Sequence, residues 1–295
     1  MQLQLAQTTL DLRAGEPVVM GILNIGRDSV ADSRTFEGVE QQLQRGLELV
    51  TAGAGIVDIG VLSGRTDTPP ISVEQEIDQL CPLVQALSDA GVLVSIDTWR
   101  AETIAAAVAA GAALINDTSG LLDSGIADIA AASGAGLVLM HTRAAPKQVH
   151  FPGYEDPLLD VLEFLRERMT FATDRGVAPE QILIDPGLDY AKAPQESIEV
   201  LRRLGELAVL ERPILLAVSR KYFIGMLTDA LPEERLAGTI AALEFGVSVG
   251  AQIVRVHDVA QVSQYLRLRA ALHGDGQVDM LGQRDDDRLK WIAPK

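Results

Sequence analysis

Apolar residues along this chain gather into short runs that end in polar residues, and the runs recur at regular intervals. They occupy residues 18–25 (VVMGILNI), 55–60 (GIVDIG), 93–97 (LVSID), 113–118 (ALINDT), 136–141 (GLVLMH), 182–187 (ILIDPG), 214–219 (ILLAVS) and 253–258 (IVRVHD). Their length and near-continuous apolar character predict strands buried on both faces. Helical patterns lie between them, at 37–52, 72–90, 100–110, 157–175, 197–207, 232–249 and 259–272. Doubly buried strands alternating with helices form a parallel sheet covered by those helices. Eight β/α units is the number that closes a (β/α)8 TIM barrel. An open doubly wound sheet is the alternative, weakened because no Gly-x-Gly-x-x-Gly follows the first strand. The opening LQLAQTTLDL alternates apolar with polar and predicts a short N-terminal β-hairpin against the barrel floor. Residues 1–274 read as one domain, and 275–295 as a polar, mobile tail.

Composition narrows the partners. The 295 residues are 47% apolar and 22% charged, an ordinary globular balance with enough chain for a large core. No run approaches the roughly 18 apolar residues that span a bilayer. The N-terminus lacks a basic segment followed by an apolar one, so no signal peptide is expected. A net charge of −16 argues against nucleic acid and anionic membranes as partners, although a local basic cluster could still hold a small anion. The single cysteine, Cys81, excludes an intrachain disulfide and a multi-cysteine zinc site. It sits in a helical pattern, where packing explains it, and a reducing cytoplasm is the expected compartment.

The strand ends carry the candidate chemistry. They read Asn24, Asp58, Asp97, Asn116 with Asp117, His141, Asp185, Ser219-Arg220-Lys221, and Arg255 with His257. Active sites of barrels form at the C-terminal rim of the strands. One polar strand end can simply cap the next helix, but a polar group at every strand end points to a functional rim. Asp97, Asn116 and Asp185 suit a flat heterocycle with adjacent N–H donors and a carbonyl. Asn24, Lys221, Arg255 and His257 form a second set, rich in donors and positive charge. It lies near the seventh and eighth strands, where barrels bind phosphate. A diphosphate with Mg2+ is a sensible occupant, because magnesium needs few protein ligands when phosphate oxygens supply the rest. Asp58 and His141 have structural readings as well, as a cross-barrel partner and as a capping group.

These segments resemble the dihydropteroate synthase family of pterin-binding TIM barrels over residues 17–272. The resemblance rests on VMGILNIGRDSVAD, VDIG, ISVEQEI, VSIDT, INDTSG, LMHT, ILIDPGLDYAK, SRKYFIG, ERLAGT and IVRVHDV, in that order. It implies a cytoplasmic transferase of folate biosynthesis. The enzyme condenses 6-hydroxymethyl-7,8-dihydropterin diphosphate with para-aminobenzoate and releases diphosphate. It also implies roles: Asp97, Asn116, Met140, Asp185 and Lys221 for the pterin, with Asp97, Asp185 and Lys221 closest to catalysis. Asn24, Arg65, Arg255 and His257 would take the diphosphate, with Asn24 serving Mg2+. A homodimer through the last barrel helices is a further implication.

Two loops depart from the family pattern. Where the family has Thr-Pro in the first loop, this chain has Gly26-Arg27; the family Phe is Val30, and a double glycine is Ser33-Arg34. In the second loop Ser63 and Arg65 are kept, whereas the family Thr and Pro are Gly64 and Thr66. A family Phe after the sixth strand is Tyr190. The second-substrate pocket (Arg27, Ser63, Gly64, Arg65, Tyr190, Lys221) is thus rewritten, with apolar walls lost and cationic groups gained. Three readings follow: a dihydropteroate synthase with divergent loops, a relative that uses another amine, or a catalytically silent pterin-binding paralogue.

Overall fold

A computed structural model describes residues 1–6, 8–13, 15–26, 36, 38–61 and 71–274. Eight parallel strands carry the apolar runs: β3 (Val18–Asn24), β4 (Ile56–Gly60), β5 (Val94–Asp97), β6 (Leu114–Asp117), β7 (Gly136–Met140), β8 (Ile182–Asp185), β9 (Leu215–Leu216) and β10 (Ile253–Val256). They pair in the order β8-β7-β6-β5-β4-β3-β10-β9, and a parallel bridge from Ile184 to Ile214 joins the two ends. The eight-fold rhythm therefore closes into a barrel. The seventh strand is shorter than its apolar run suggests, with two residues on the ladder.

The helices are α1 (Val39–Thr51), α2 (Val73–Asp89), α3 (Ala101–Ala109), α4 (Gly125–Ser133), α5 (Pro157–Asp174), α6 (Pro194–Arg202), α7 (Tyr222–Thr228), α8 (Leu236–Ser248) and α9 (Val259–His273). Several starts are set by local chemistry. Ser72 Oγ accepts the Gln75 N–H at 3.2 Å while Gln75 Oε1 accepts the Ser72 N–H at 3.0 Å, a reciprocal cap that opens α2. Asp156 accepts the Leu158 and Leu159 N–H groups ahead of Pro157, which suits the first turn of α5. The sequence pattern does not single out the helices α4 and α7, of 9 and 7 residues.

Side chains alternate across each strand, which divides the apolar residues into two cores. Outward positions such as Val57, Ile59, Val94, Ile96, Leu137, Leu139 and Val254 pack under the helices. Inward ones (Met20, Ile56, Leu114, Val138, Leu183, Leu215 and Ile253) form a layer across the barrel bore. The N-terminal hairpin, β1 (Gln2–Leu5) antiparallel to β2 (Thr8–Asp11), plugs the floor beneath that layer. Its Leu3 and Leu5 are completely buried, and the Ala6 N–H donates to the Gly134 carbonyl at 2.6 Å. The segment 275–295 lies outside the described residues.

Sealing the bore in this way makes the hairpin part of the barrel's stability. Leu5→Ala should lower the unfolding free energy by about 2–5 kcal/mol, the range for a buried leucine that leaves a cavity. Urea denaturation followed by circular dichroism checks it; a loss under 1 kcal/mol would mean that the hairpin is a dispensable appendage.

Candidate active site

The alternation that builds the two cores also decides which polar strand ends enter the barrel mouth. Asn24 pairs with Gly60, Gly60 with Asp97, and Asp97 with Asn116, which sets these positions on one row of the ladder. Met140 and Asp185 are paired on the far side. Asp117 and His141 have the opposite parity and turn outward. Asp117 caps the following loop, accepting from Ser119 Oγ and from the N–H groups of Ser119 and Leu121. His141 faces α5. The expectation that every polar strand end serves the rim is therefore corrected: β7 delivers Met140 to the mouth, and its histidine lies behind.

The centre of the mouth is an ionic network. Fully buried Asp58 accepts from Ser95 Oγ at 2.6 Å, from Asn116 Nδ2 at 3.1 Å and from Arg255 Nε at 2.6 Å. A second arm of the same guanidinium reaches Asp97 Oδ2 at 2.6 Å. Asp58 is thus the pin beneath the site. With its amide N–H directed at Asp58, Asn116 presents its carbonyl oxygen to the mouth. Burial, which opposes the charge on Arg255, is outweighed by Asp58 and Asp97, and its pKa rises. The Asp97 carboxyl is lifted to about 7 by burial, against the pull of Arg255 and with Asp58 and Asp117 adding to the rise. Burial also raises Asp185, even though it accepts the Gly187 N–H at 2.7 Å.

The loop after β8 needs its own support. Gly187 has φ +65°, and a Cβ there would fall 1.9 Å from the His141 carbonyl oxygen, so only glycine fits. Beneath it, Lys192 is 2% exposed and directs Nζ to His141 Nδ1 at 2.6 Å, to the Gly187 carbonyl at 2.9 Å and to the Tyr190 carbonyl at 3.2 Å. His141 Nε2 in turn meets Asp160 at 2.7 Å, and Arg143 grips the same carboxylate at 2.9 and 3.1 Å. Burial holds Lys192 down at about 7, and burial followed by the Lys192 charge holds His141 down at about 3. Lys192 had no role in the sequence reading. Nothing in its local pattern marks it, since its partners come from two loops and a strand end. Lys221, at the start of α7, donates to the Leu188 carbonyl at 2.9 Å and lies 4.5 Å from the centre of the Tyr190 ring. Burial lowers its pKa.

The anion side is built on the ends of β3 and β10 and the start of α9. Ser219 Oγ accepts the His257 N–H at 3.1 Å and meets His257 Nδ1 at 2.9 Å. Assigning the Ser219 hydroxyl as the donor to Nδ1 leaves the ring proton on Nε2. His257 is neutral, held down at about 3 by burial and then by Arg255 and Arg220. Within the donor-rich, positively charged set read from the sequence, it therefore offers an N–H donor, and the lysine and arginine carry the charge. Arg220 pairs with Asp258 through two bonds, at 3.1 and 2.7 Å. Asn24, Arg220, His257 and Asp258 border a cavity of about 310 Å³.

Arg27, Ser63, Gly64 and Arg65 lie outside the described residues, as do Val30, Ser33, Arg34 and Thr66. At the edge of that region, a Cβ on Gly26 would fall 2.2 Å from the Val61 carbonyl oxygen. Gly26 therefore allows the chain leaving β3 to pass close to Val61 at the exit of β4. Arg100 anchors the end of the second loop, donating to the Ile71 carbonyl at 3.0 Å and to buried Glu76 at 3.0 Å.

Comparison with known proteins adds to this geometry. A family model described as pterin binding enzyme matches residues 20–257. The dihydropteroate synthase of Bacillus subtilis (strain 168) is 37% identical over 263 residues, 88% of this chain and 90% of that protein. Its counterpart from Escherichia coli (strain K12) is 34% identical, covering 91% of this chain and 95% of its own. The Yersinia pestis dihydropteroate synthase in a sulfonamide drug complex superposes with a TM-score of 0.87 at 34% identity, over 93% of this chain and 100% of its own. The Xanthomonas albilineans enzyme in complex with 7,8-dihydropteroate gives 0.80 at 35% identity, over 92% and 98%.

The neutral His257 makes a test of sign possible. A histidine in the unfolded chain ionises near 6.5, whereas here the folded value is about 3. The stability it contributes is present above pH 6.5 and is lost as pH falls toward 3. The unfolding free energy of the wild type relative to His257→Asn should therefore drop by about 1.4 kcal/mol per pH unit below 6.5. Urea titrations from pH 7 to 4.5 check this. A pH-independent difference would mean that the folded imidazole takes up its proton as readily as in the unfolded chain.

Proposed function

The chain belongs to the pterin-binding enzyme family, and from that premise we infer that it is a dihydropteroate synthase-like transferase. It condenses 6-hydroxymethyl-7,8-dihydropterin diphosphate with para-aminobenzoate in folate biosynthesis. The observation that carries the reading is the pairing of a carboxylate-lined mouth around Asp97 and Asp185 with a donor-lined cavity bordered by Asn24 and His257. In the reaction the bond from the pterin methylene carbon to diphosphate oxygen breaks, and the electron pair leaves with diphosphate. The amine nitrogen then forms the new C–N bond and gives up a proton.

Each side of the site supports one demand of that chemistry. Asp185 and the Asn116 carbonyl are acceptors for the N–H groups on the pterin edge, and Lys221 is a donor for its carbonyl side. Met140, 1% exposed, supplies an apolar contact for the ring. Positive charge developing on the pterin as diphosphate departs is favoured by carboxylates fixed in place beforehand. The Arg255 link from Asp58 to Asp97 provides that fixing. For the amine, Tyr190 forms a wall beneath Lys221, and its hydroxyl stays protonated because burial and nearby Asp97 raise its pKa.

Magnesium fits this site in one manner. Among the described residues no group of three or more His, Cys, Asp or Glu could hold a metal ion. Asn24 offers an amide oxygen, so an ion arriving with the diphosphate oxygens would need little else from the protein. When bound, Mg2+ would neutralise the departing charge. A homodimer is consistent with exposed Phe245 on α8 and exposed Leu268 and Leu272 on α9. The cytoplasm is consistent with a lone cysteine, and no described helix is long and apolar enough to cross a membrane.

Purified protein should release diphosphate from the pterin substrate only when para-aminobenzoate is present, and mass spectrometry should detect 7,8-dihydropteroate. Turnover with other amines but not this one would overturn the assignment of acceptor. Lys221→Ala removes a charge-assisted contact and should raise KM for the pterin diphosphate by roughly one to two orders of magnitude; an unchanged KM would put the pterin elsewhere. Leu268→Glu with Leu272→Glu should convert a dimer to a monomer on size-exclusion chromatography with light scattering, and a wild-type monomer would refute the dimer outright.

A further inference from the structure

The cavity beside Asn24 and His257 extends outward between α1 and α9, and its outer wall carries a group that the family resemblance does not assign. Arg45, in the middle of α1, lines the cavity together with Leu49 from the next turn. Its side chain is 20% exposed. One terminal nitrogen, Nη1, reaches Glu48 Oε2 at 3.2 Å, while Nε is buried and has no hydrogen-bond partner among the described residues. A buried guanidinium N–H without an acceptor is an uncommon arrangement, because the group keeps its desolvation cost with nothing in return. Here the unsatisfied donor belongs to a side chain that borders a cavity with two other donor groups, the His257 imidazole and the Asn24 amide.

The rest of the wall fits an anion. Val259, Ala260 and Gln261 belong to the first turn of the 15-residue helix α9, whose opening N–H groups lack partners within the helix and favour negative charge. Arg220, already paired with Asp258, adds cationic character beside them. Neutral His257 and Asn24 contribute donors without charge, so a permanent cation on the α1 side is the complement that a polyanion would need there. Glu48, 47% exposed, meets Arg45 as a helix i,i+3 pair, a weak contact that a phosphate oxygen can outcompete.

We propose that Arg45 is a diphosphate-binding residue, taking an oxygen of the outer phosphate of the leaving group in the cleft between α1 and α9. This deepens the functional reading and rests on it. The outer phosphate is the part of the substrate farthest from the pterin ring, and Arg45 lies on the outer wall of the cleft. Its N–H groups would supply charge-assisted bonds that strengthen as negative charge gathers on the departing diphosphate. The contact retains the product as well as the substrate, so Arg45 also sets how tightly released diphosphate inhibits the enzyme.

The test uses the full-length protein and two probes, inorganic diphosphate and 6-hydroxymethylpterin without phosphate, each titrated by calorimetry. Arg45→Met should weaken diphosphate about tenfold or more, and leave 6-hydroxymethylpterin within about twofold of wild type. Arg45→Lys, which keeps the charge but lacks the fork, should fall between them. Glu48→Gln removes the competing carboxylate and should tighten diphosphate about two- to threefold, a gain that a folding defect cannot produce. Product inhibition by diphosphate in the turnover assay should follow the same order. Unchanged diphosphate affinity in Arg45→Met overturns the proposal. So does the absence of any diphosphate binding by the wild type, or equal losses for both probes in Arg45→Met. Failure of the reaction itself is distinguishable: wild-type protein that binds diphosphate yet never couples para-aminobenzoate to the pterin would sink the functional reading alone.

Discussion

A single guanidinium holds the mouth of this barrel together. Arg255 joins Asp58, on the layer beneath the site, to Asp97, on the row that would meet the pterin. Burying three charges in one place is costly unless each finds partners, and these do: Asp58 gains Ser95 and Asn116 besides the arginine. The network therefore cannot loosen at one point without leaving an uncompensated charge in the bore. That constraint gives the site its rigidity. It also explains why Asn116 shows its carbonyl to the mouth, while burial lifts the Asp97 carboxyl to about 7 against the pull of Arg255.

Support for the far side comes from a different chain of contacts. Lys192, His141, Asp160 and Arg143 run from beneath the loop after β8 out to α5, and none of them faces the mouth. Their work is to keep Asp185 and Tyr190 where they are, with Lys192 satisfying two loop carbonyls that would otherwise be buried without donors. The two networks differ in origin: Asp58, Asp97 and Arg255 point inward from their strands, whereas His141 turns outward to partners on a loop and on α5.

The cleft between α1 and α9 shows how function can extend past strand ends. Donors from β3 and β10 form its inner part and helix residues its outer part, so an elongated anion can be gripped along its length. A neutral imidazole near the inner end and a cation at the outer end make a graded environment along it.

Much of this was legible along the chain. Eight apolar runs spaced by helical patterns point to a parallel sheet covered by helices and favour a closed barrel over an open doubly wound sheet; the ladder itself decides the closure. The alternating hairpin at the N-terminus, and the placement of Arg255 and His257 on one side of their strand, follow from a period of two. What the chain order could not tell was which polar strand ends share a parity across different strands, since that depends on register and stagger around the ring. Asp58 became a pin, and Asp117 and His141 turned out of the mouth, only once the ladder was closed. Lys192 and Arg45 acquired partners or a cavity from elements far away in sequence, and the charge of His257 depended on burial and on neighbouring arginines. Local pattern determines elements and faces; protonation, pairing and the shape of a cleft arise from what folding brings within a few ångströms.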